Sequence, residues 1–188
     1  MDDYYKTKDS VKEYIQAAEG FNGKSLIDKF AVFANENTIV LELGSGPGTD
    51  WQILNKSYEV VGSDFSEEFI NHLKATYPKG EFVQLDASTL EIDKEFDVIY
   101  SNKVLHHLTD KQLINSIKRQ YKLLKKNGLV CHSYWKGNGS EVFKGLFVNY
   151  HTKEELELLF KDNFEILHFE TYEEFEENDS ILLIGRKK

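Results

Sequence analysis

Residues 39–51 read IVLELGSGPGTDW, an apolar run that breaks into three glycines within five positions, Gly44, Gly46 and Gly48. Glycine is needed where a chain turns through positive φ or where another group must approach the backbone closely. TIVLEL (38–43) is short and nearly continuously apolar, the pattern of a strand covered on both faces. The residues after Gly48 read as a short helix near 49–56. A buried strand, a glycine-rich turn and a helix in that order form a general nucleotide-handling device.

The same alternation extends outward from this stretch. Upstream, DSVKEYIQAAEG places Val11, Tyr14, Ile15 and Ala18 at helical spacing, with Asp9 or Ser10 as cap and Gly20 as stop, and a second helix is predicted over Lys24–Ala34. Downstream, YEVVGSD, EFVQL, EFDVIYS and LVCHSYW read as strands, with a serine-capped helix over 66–77 between the first two. TDKQLINSIKRQYKLLKKNG begins with a Thr109–Gln112 capping box and is predicted to run as a helix to the stop at Asn127-Gly128. TKEELELLF repeats the box with Thr152 and Glu155, and FEILHFETY and ILLIGRK close the chain as an antiparallel hairpin. Strands alternating with helices form a parallel sheet with helices on both faces, and ligands bind beyond its carboxyl strand ends. The candidate site residues are therefore those just after each strand: Gly44–Gly48, Asp64, Asp86 and Ser101–His107.

Composition narrows the function classes. With 188 residues and no repeat or long linker, a single domain over 1–188 is expected. The net charge of −9 opposes a nucleic-acid partner, which needs a positive surface. The eleven acids against one base between Glu154 and Asp179 read as a solvated acidic face, and the cluster Lys118, Arg119, Lys122, Lys125 and Lys126 as cations complementing a helix C-terminus. No apolar run approaches the roughly 18–20 residues of a membrane span. The polar start MDDYYKTKDS does not read as a signal peptide, and the lone Cys131, which cannot form an intrachain disulfide, fits a cytoplasmic protein. No metal-ligand spacing stands out.

Two details select the ligand. Here the turn is G-x-G-x-G with Thr49 at the last position of the dinucleotide fingerprint. Glu42 lies two residues before the first glycine, where a carboxylate would repel a pyrophosphate and hold an ammonium group. The expected ligand carries an amine and a nucleoside and lacks phosphates, which disfavours an NAD-dependent oxidoreductase.

IVLELGSGPGTD resembles the first motif of the class I S-adenosylmethionine-dependent methyltransferases, and the resemblance continues in order through VVGSDFS, FVQLDAS, FDVIYSNKVLHHLTD and LLKKNGLVCHSYW. It covers residues 38–135, and the hairpin-ended tail is similar to the family's last strands. The resemblance implies a Rossmann-like doubly wound α/β sheet, mostly parallel, of seven strands with the last antiparallel. It implies S-adenosyl-L-methionine held by Glu42, Gly44, Ser45, Gly46 and Gly48, with Asp64 on the ribose hydroxyls, Phe65 beside the adenine, Asp86 and Ala87 at the adenine edge, and Asn102 and Tyr14 closing the site.

For the methyl acceptor, His107 is the candidate base, with structural packing as its other reading. His132 reads as a satisfied core histidine and Cys131 as a small buried hydrophobe. The family's N6-adenine members carry an Asn- or Asp-Pro-Pro-aromatic sequence where this chain reads SNKV, so a small-molecule substrate is expected, on an O, N or S atom. Residues 1–35 would form a helical lid and 136–155 a substrate-side segment, with Tyr4, Tyr5, His106, His107, Phe147 and Tyr150 facing the substrate. Small-molecule relatives often carry an arginine before the tyrosine of GLFVNYH; this chain has none there, which argues against an anionic substrate. The expected protein is a monomer or weak homodimer. A module that binds S-adenosylmethionine without turnover stays open beside the enzyme reading.

Overall fold

The computed structural model describes residues 7–35, 37–143 and 145–188; Tyr4 and Tyr5 lie outside the described residues. Seven strands form one sheet: β1 (Ile39–Leu43), β2 (Glu59–Asp64), β3 (Glu81–Gln84), β4 (Phe96–Asn102), β5 (Leu124–Trp135), β8 (Phe164–Tyr172) and β9 (Ser180–Lys187), in the order β3-β2-β1-β4-β5-β9-β8. β1 to β5 pair in parallel, and β9 runs antiparallel to both neighbours. This is the Rossmann-like arrangement expected from the sequence. The order reverses between β1 and β4, so the chain leaves a crevice beyond Leu43 and Asn102 where no crossover covers the strand ends.

Helices α1 (Lys8–Ala17), α2 (Lys24–Ala31), α3 (Thr49–Leu54), α4 (Glu67–Thr76), α5 (Asp110–Leu123) and α6 (Lys153–Phe160) cover the sheet. Two apolar clusters fill the faces: one includes Leu41, Leu43, Ile99, Val130, Ile117 and Phe160, the other Phe30, Val40, Trp51, Leu73, Val98 and Leu182. Val40 and Leu41 are adjacent in sequence and belong to opposite clusters. That is the period-2 geometry of a strand buried on both sides.

Local signals held where side chains cap backbone. The Ser66 hydroxyl accepts the Phe69 N–H at 3.3 Å to start α4, and the Thr152 hydroxyl accepts from Glu155 N while Glu155 returns to Thr152 N. Three boundaries differ, and one element is new. Thr7, not Asp9 or Ser10, caps α1 by accepting the Ser10 N–H. α2 stops at Ala31. α5 ends at Leu123, because the fully buried Leu124 enters the sheet opposite Phe96; Lys125 and Lys126 therefore lie in a bulge at the start of β5, and Lys125 pairs with Asp97. Finally, β6 (Ser140–Phe143) and β7 (Leu146–Asn149) form a separate antiparallel ribbon that the sequence did not announce.

Candidate functional site

Two adjoining cavities, of about 410 and 260 Å³, open at the carboxyl ends of β1 and β4. Both are lined by Tyr14, Gly44, Gly46, Asn102 and Lys103, so the two share a junction at the glycine turn. The larger runs past Asp64, Phe65, Gln84, Leu85 and Ala87 and also reaches Val104, His107 and Leu146. The smaller runs past Glu42, Ser45, Thr49 and Asp50 to Phe21, Trp135 and Phe175.

The glycines of the turn have distinct duties. Gly44, Gly46 and Gly48 all adopt positive φ. A methyl group on Gly46 would point into the junction, meeting only Tyr14 at 3.9 Å, so its backbone is open to a ligand. On Gly44 it would overlap the Val104 side chain, and on Gly48 it would come 2.7 Å from Leu73. Gly44 lines the cavities but is required by packing of the loop after β4. Gly48 lines neither and lets α3 pack on α4.

Carboxylates set the electrostatics. Glu42 is 2% exposed, and its Oε2 accepts from the Ser45 hydroxyl at 2.5 Å. Burial, then the neighbouring Asp50, raises its pKa to about 8. A cation beside it favours the ionised form. Asp64 Oδ2 accepts the Gly46 N–H at 3.0 Å and Oδ1 the Ser66 N–H at 2.9 Å, and burial lifts its pKa to about 6 against those bonds. Phe65 follows it on the wall, held by Gln84 Nε2 donating to its carbonyl. Asp86 is not among the lining residues: its Oδ1 accepts the Ser88 N–H at 2.7 Å in the turn after β3, leaving Oδ2 as the atom it can offer.

Asp50 and Gly23 were not legible as site residues, and Lys103 was marked only as part of the Ser101–His107 segment. Asp50 accepts from the Gly23 N–H at 2.5 Å, the Tyr100 hydroxyl at 2.7 Å and Asn102 Nδ2 at 3.1 Å, so one buried carboxylate ties the α1–α2 link to β4. Asn102 Oδ1 in turn accepts from the Ser133 hydroxyl. Lys103 adopts φ +54° and sends its ammonium to Tyr134 O, Ser180 Oγ and Glu174, 3.5 Å from the centre of the Trp135 ring. Burial lowers its pKa to about 8.

The histidines divide. His107 Nδ1 donates to the Phe147 carbonyl at 2.7 Å, which assigns the basic lone pair of the neutral ring to Nε2, and the ring lines the larger cavity. Phe147 thus acts through its backbone. His106 lies behind it with ring centroids 4.0 Å apart and planes tilted by 51°, is buried outside both linings, and burial holds its pKa well below the ordinary value. Tyr150 donates to Glu141 away from both cavities. His132 bridges Ser101 Oγ and Gln120 Oε1 in the core, and Cys131 is fully buried, as the sequence suggested. Among the described residues no group of three His, Cys, Asp or Glu is placed to hold a metal, and no helix is long and apolar enough to cross a membrane.

Residues 40–128, from β1 to the bulge that opens β5, match the family model described as a methyltransferase domain. Over that stretch the chain is similar to methyltransferase domains. Over 96 residues it is 30% identical to a trans-aconitate 2-methyltransferase of Methylobacterium radiotolerans, covering 50% of this chain and 36% of that protein. The chain spans 35–49% of the length of the curated relatives it matches. Among solved structures, a methyltransferase of Methanosarcina mazei superposes with a TM-score of 0.77 at 21% identity, over 85% of this chain and 96% of the other. The Burkholderia thailandensis 1,6-didemethyltoxoflavin-N1-methyltransferase, solved with its substrate and S-adenosylhomocysteine, gives 0.73 at 18% identity over 95% of this chain and 85% of that one. At such identities the two structures speak for the fold.

The raised pKa of Glu42 makes one property of the site measurable. A ligand ammonium placed beside Glu42 should expel its proton between roughly pH 6 and 8. Binding of S-adenosylhomocysteine at pH 7 should therefore release a proton, seen as a calorimetric enthalpy that changes with the ionisation heat of the buffer. Glu42→Gln should bind more weakly and abolish the buffer dependence. A wild-type enthalpy that is the same in all buffers would remove Glu42 from the amine site.

Proposed function

We propose that this domain transfers a methyl group from S-adenosylmethionine to an O, N or S atom of a small metabolite. The observation that carries the reading is the pairing, across one junction, of a buried carboxylate beside the glycine turn with a second carboxylate at the end of β2. Glu42 and Asp64 are spaced by the β1–β2 pairing, and between them the backbone of Gly46 is open. That set suits an ammonium at one end and ribose hydroxyls at the other.

Glu42 and Ser45 hold the ammonium, Asp64 accepts from the ribose, and Phe65, Leu85 and Ala87 wall the adenine, with Asp86 Oδ2 at its amino edge. Tyr14, packed edge-on to Phe69 at 5.8 Å, closes the junction from α1, so residues 7–35 act as the lid and Leu146 belongs to the substrate-side segment. The bound cofactor supplies an electrophilic methyl on a sulfonium. The protein contributes alignment and exclusion of water, on the order of 7–11 kcal/mol. Where the acceptor must lose a proton, His107 Nε2 receives it. A small molecule is supported by the net charge of −9 and by the small-molecule names of the two relatives above. We place the protein in the cytoplasm as a monomer or weak homodimer that works without nucleic acid.

Incubation with methyl-labelled cofactor and a metabolite extract tests the reading, with labelled small-molecule product as the expected result. Tight binding of S-adenosylhomocysteine with no labelled product in any fraction would make the chain a binding module instead. Stabilisation by NAD alone would end both. With an acceptor in hand, His107→Gln should slow transfer by about 10²–10⁴-fold at unchanged cofactor affinity. Unchanged turnover would leave His107 only the task of anchoring the β6–β7 ribbon.

A further inference from the structure

The smaller cavity extends beyond what a methionine moiety can use. Past Glu42 and Asp50 it is bounded by Phe21, Trp135, Glu174 and Phe175. The Phe175 ring stacks on Trp135 with centroids 5.7 Å apart and planes 26° apart, and Phe21 meets Phe175 edge-on at 5.3 Å. Yet Phe21 is 51% and Phe175 59% exposed. Two large rings held half in water at a cavity mouth are the opposite of what core packing produces.

The loop that carries Phe175 is already rigid. Asp179 accepts the N–H groups of Glu174, Phe175 and Glu176, each at 3.0 Å, and its carbonyl takes the Lys136 N–H at 2.7 Å. Burial of a planar ligand there costs little ordering of the protein. The wall reaches the reacting centre through Lys103, which lines both cavities and lies against Trp135.

Polar groups on this wall specify the ligand further. Lys103 donates to Tyr134 O and Ser180 Oγ and pairs with Glu174 Oε2 at 3.3 Å, so its charge is already balanced within the protein and turned away from an incoming anion. Glu174 Oε2 also accepts from the Tyr172 hydroxyl, while Oε1 makes no hydrogen bond among the described residues. Asn22, at the far rim, spends its carbonyl on the Lys24 N–H and has only a neutral amide left. The charged group with capacity to spare is an acceptor.

We propose that Phe21, Trp135, Phe175 and Glu174 form the methyl-acceptor subsite, and that it takes a planar aromatic molecule carrying a hydrogen-bond-donating nitrogen rather than a carboxylate. This rests on the methyltransferase reading above and names its substrate class. The test uses the whole chain saturated with S-adenosylhomocysteine. Matched pairs are titrated by calorimetry: tryptamine against indole-3-propionate, and phenethylamine against 3-phenylpropionate. The amine of each pair should bind about 10-fold tighter or more, and Phe175→Ala should weaken amines by about 5–10-fold while leaving S-adenosylhomocysteine affinity unchanged. Glu174→Gln should shrink the amine preference to about 3-fold or less. Equal or tighter binding of the carboxylates, no binding of any of the four by protein that has taken up S-adenosylhomocysteine, or indifference to Phe175→Ala would overturn the subsite. Failure to take up S-adenosylhomocysteine would overturn the methyltransferase reading itself, and the subsite with it.

Discussion

Asp64→Ala should weaken S-adenosylhomocysteine binding by about 10²–10⁴-fold, the largest loss of affinity expected from any single side chain of the site. A hydrogen bond to a charged acceptor contributes roughly 1.5–3 kcal/mol, and a ribose brings two hydroxyls, so the loss is about 3–6 kcal/mol. The carboxylate stands at the end of β2, where Ser63 pairs with Leu43 and brings Asp64 beside the glycine turn. Its present partners, Gly46 N–H and Ser66 N–H, fix its orientation before any ligand arrives. The two N–H groups belong to the turns after β1 and β2, both bordering an open cavity, so water can replace the carboxylate there and the variant should fold. Thermal melting checks that separately from binding by calorimetry.

The pH dependence gives an independent reading of the same residue. Burial raises the Asp64 pKa to about 6, above its unfolded value, so ionised Asp64 costs the ligand-free protein stability. Its contribution is most favourable below the unfolded value and is lost as pH rises through about 6. Ribose hydroxyls donate best to the ionised form, so affinity should run the other way and improve as pH rises from 5 to 7. In Asp64→Ala the part of that slope between pH 5 and 6 should flatten, leaving the rise toward pH 7 that Glu42 produces. Wild-type affinity in a normally folded Asp64→Ala would remove the ribose from this position.

How much could be read without coordinates depended on the range of the interaction responsible. β1, β2 and β4 were legible because burial on both faces demands unbroken apolar runs, and VVGSD and FDVIYS carry that demand in their own letters. The caps at Ser66 and Thr152 were legible because donor and acceptor sit three residues apart. The end of α5 was not. KLLKKNG looks helical up to its Asn-Gly stop, and only the parallel pairing of Leu124 with Phe96 pulls the chain straight four residues early. The β6–β7 ribbon lacks strict apolar alternation, and its role, a carbonyl of Phe147 offered to His107, is invisible in side-chain chemistry. Likewise part of the acidic tract proved structural: Glu170 pairs with Lys29, Glu174 with Lys103, and Asp179 caps its own loop.

Asp50→Ala should destabilise the fold by about 3–5 kcal/mol, because it strands donors that water cannot easily reach. The Gly23 N–H and the Tyr100 hydroxyl are buried against this carboxylate, and an unsatisfied buried donor costs roughly 1–3 kcal/mol. Asn102 Nδ2, at the cavity, can turn to solvent and adds less. From sequence Asp50 is only an acid in the first turn of α3, where the helix dipole accounts for it fully. Its partners lie 27 and 50 residues away, which no local pattern reveals. Asp50→Asn should cost less than Ala, since one carbonyl remains for Gly23 and the Tyr100 oxygen can accept from the new amide. Gly23→Ala approaches the same joint from the other side. Its methyl would overlap the Tyr100 hydroxyl and stand 2.5 Å from Asp50 Oδ2, forcing the α1–α2 link off β4. Because that link places Tyr14 over the junction, both variants should also bind S-adenosylhomocysteine more weakly even at temperatures where they remain folded. Urea unfolding and calorimetry on the three variants check the order. Asp50→Ala as stable as wild type, or destabilised with full cofactor affinity, would mean that the lid is held by other contacts and that Asp50 serves only its helix.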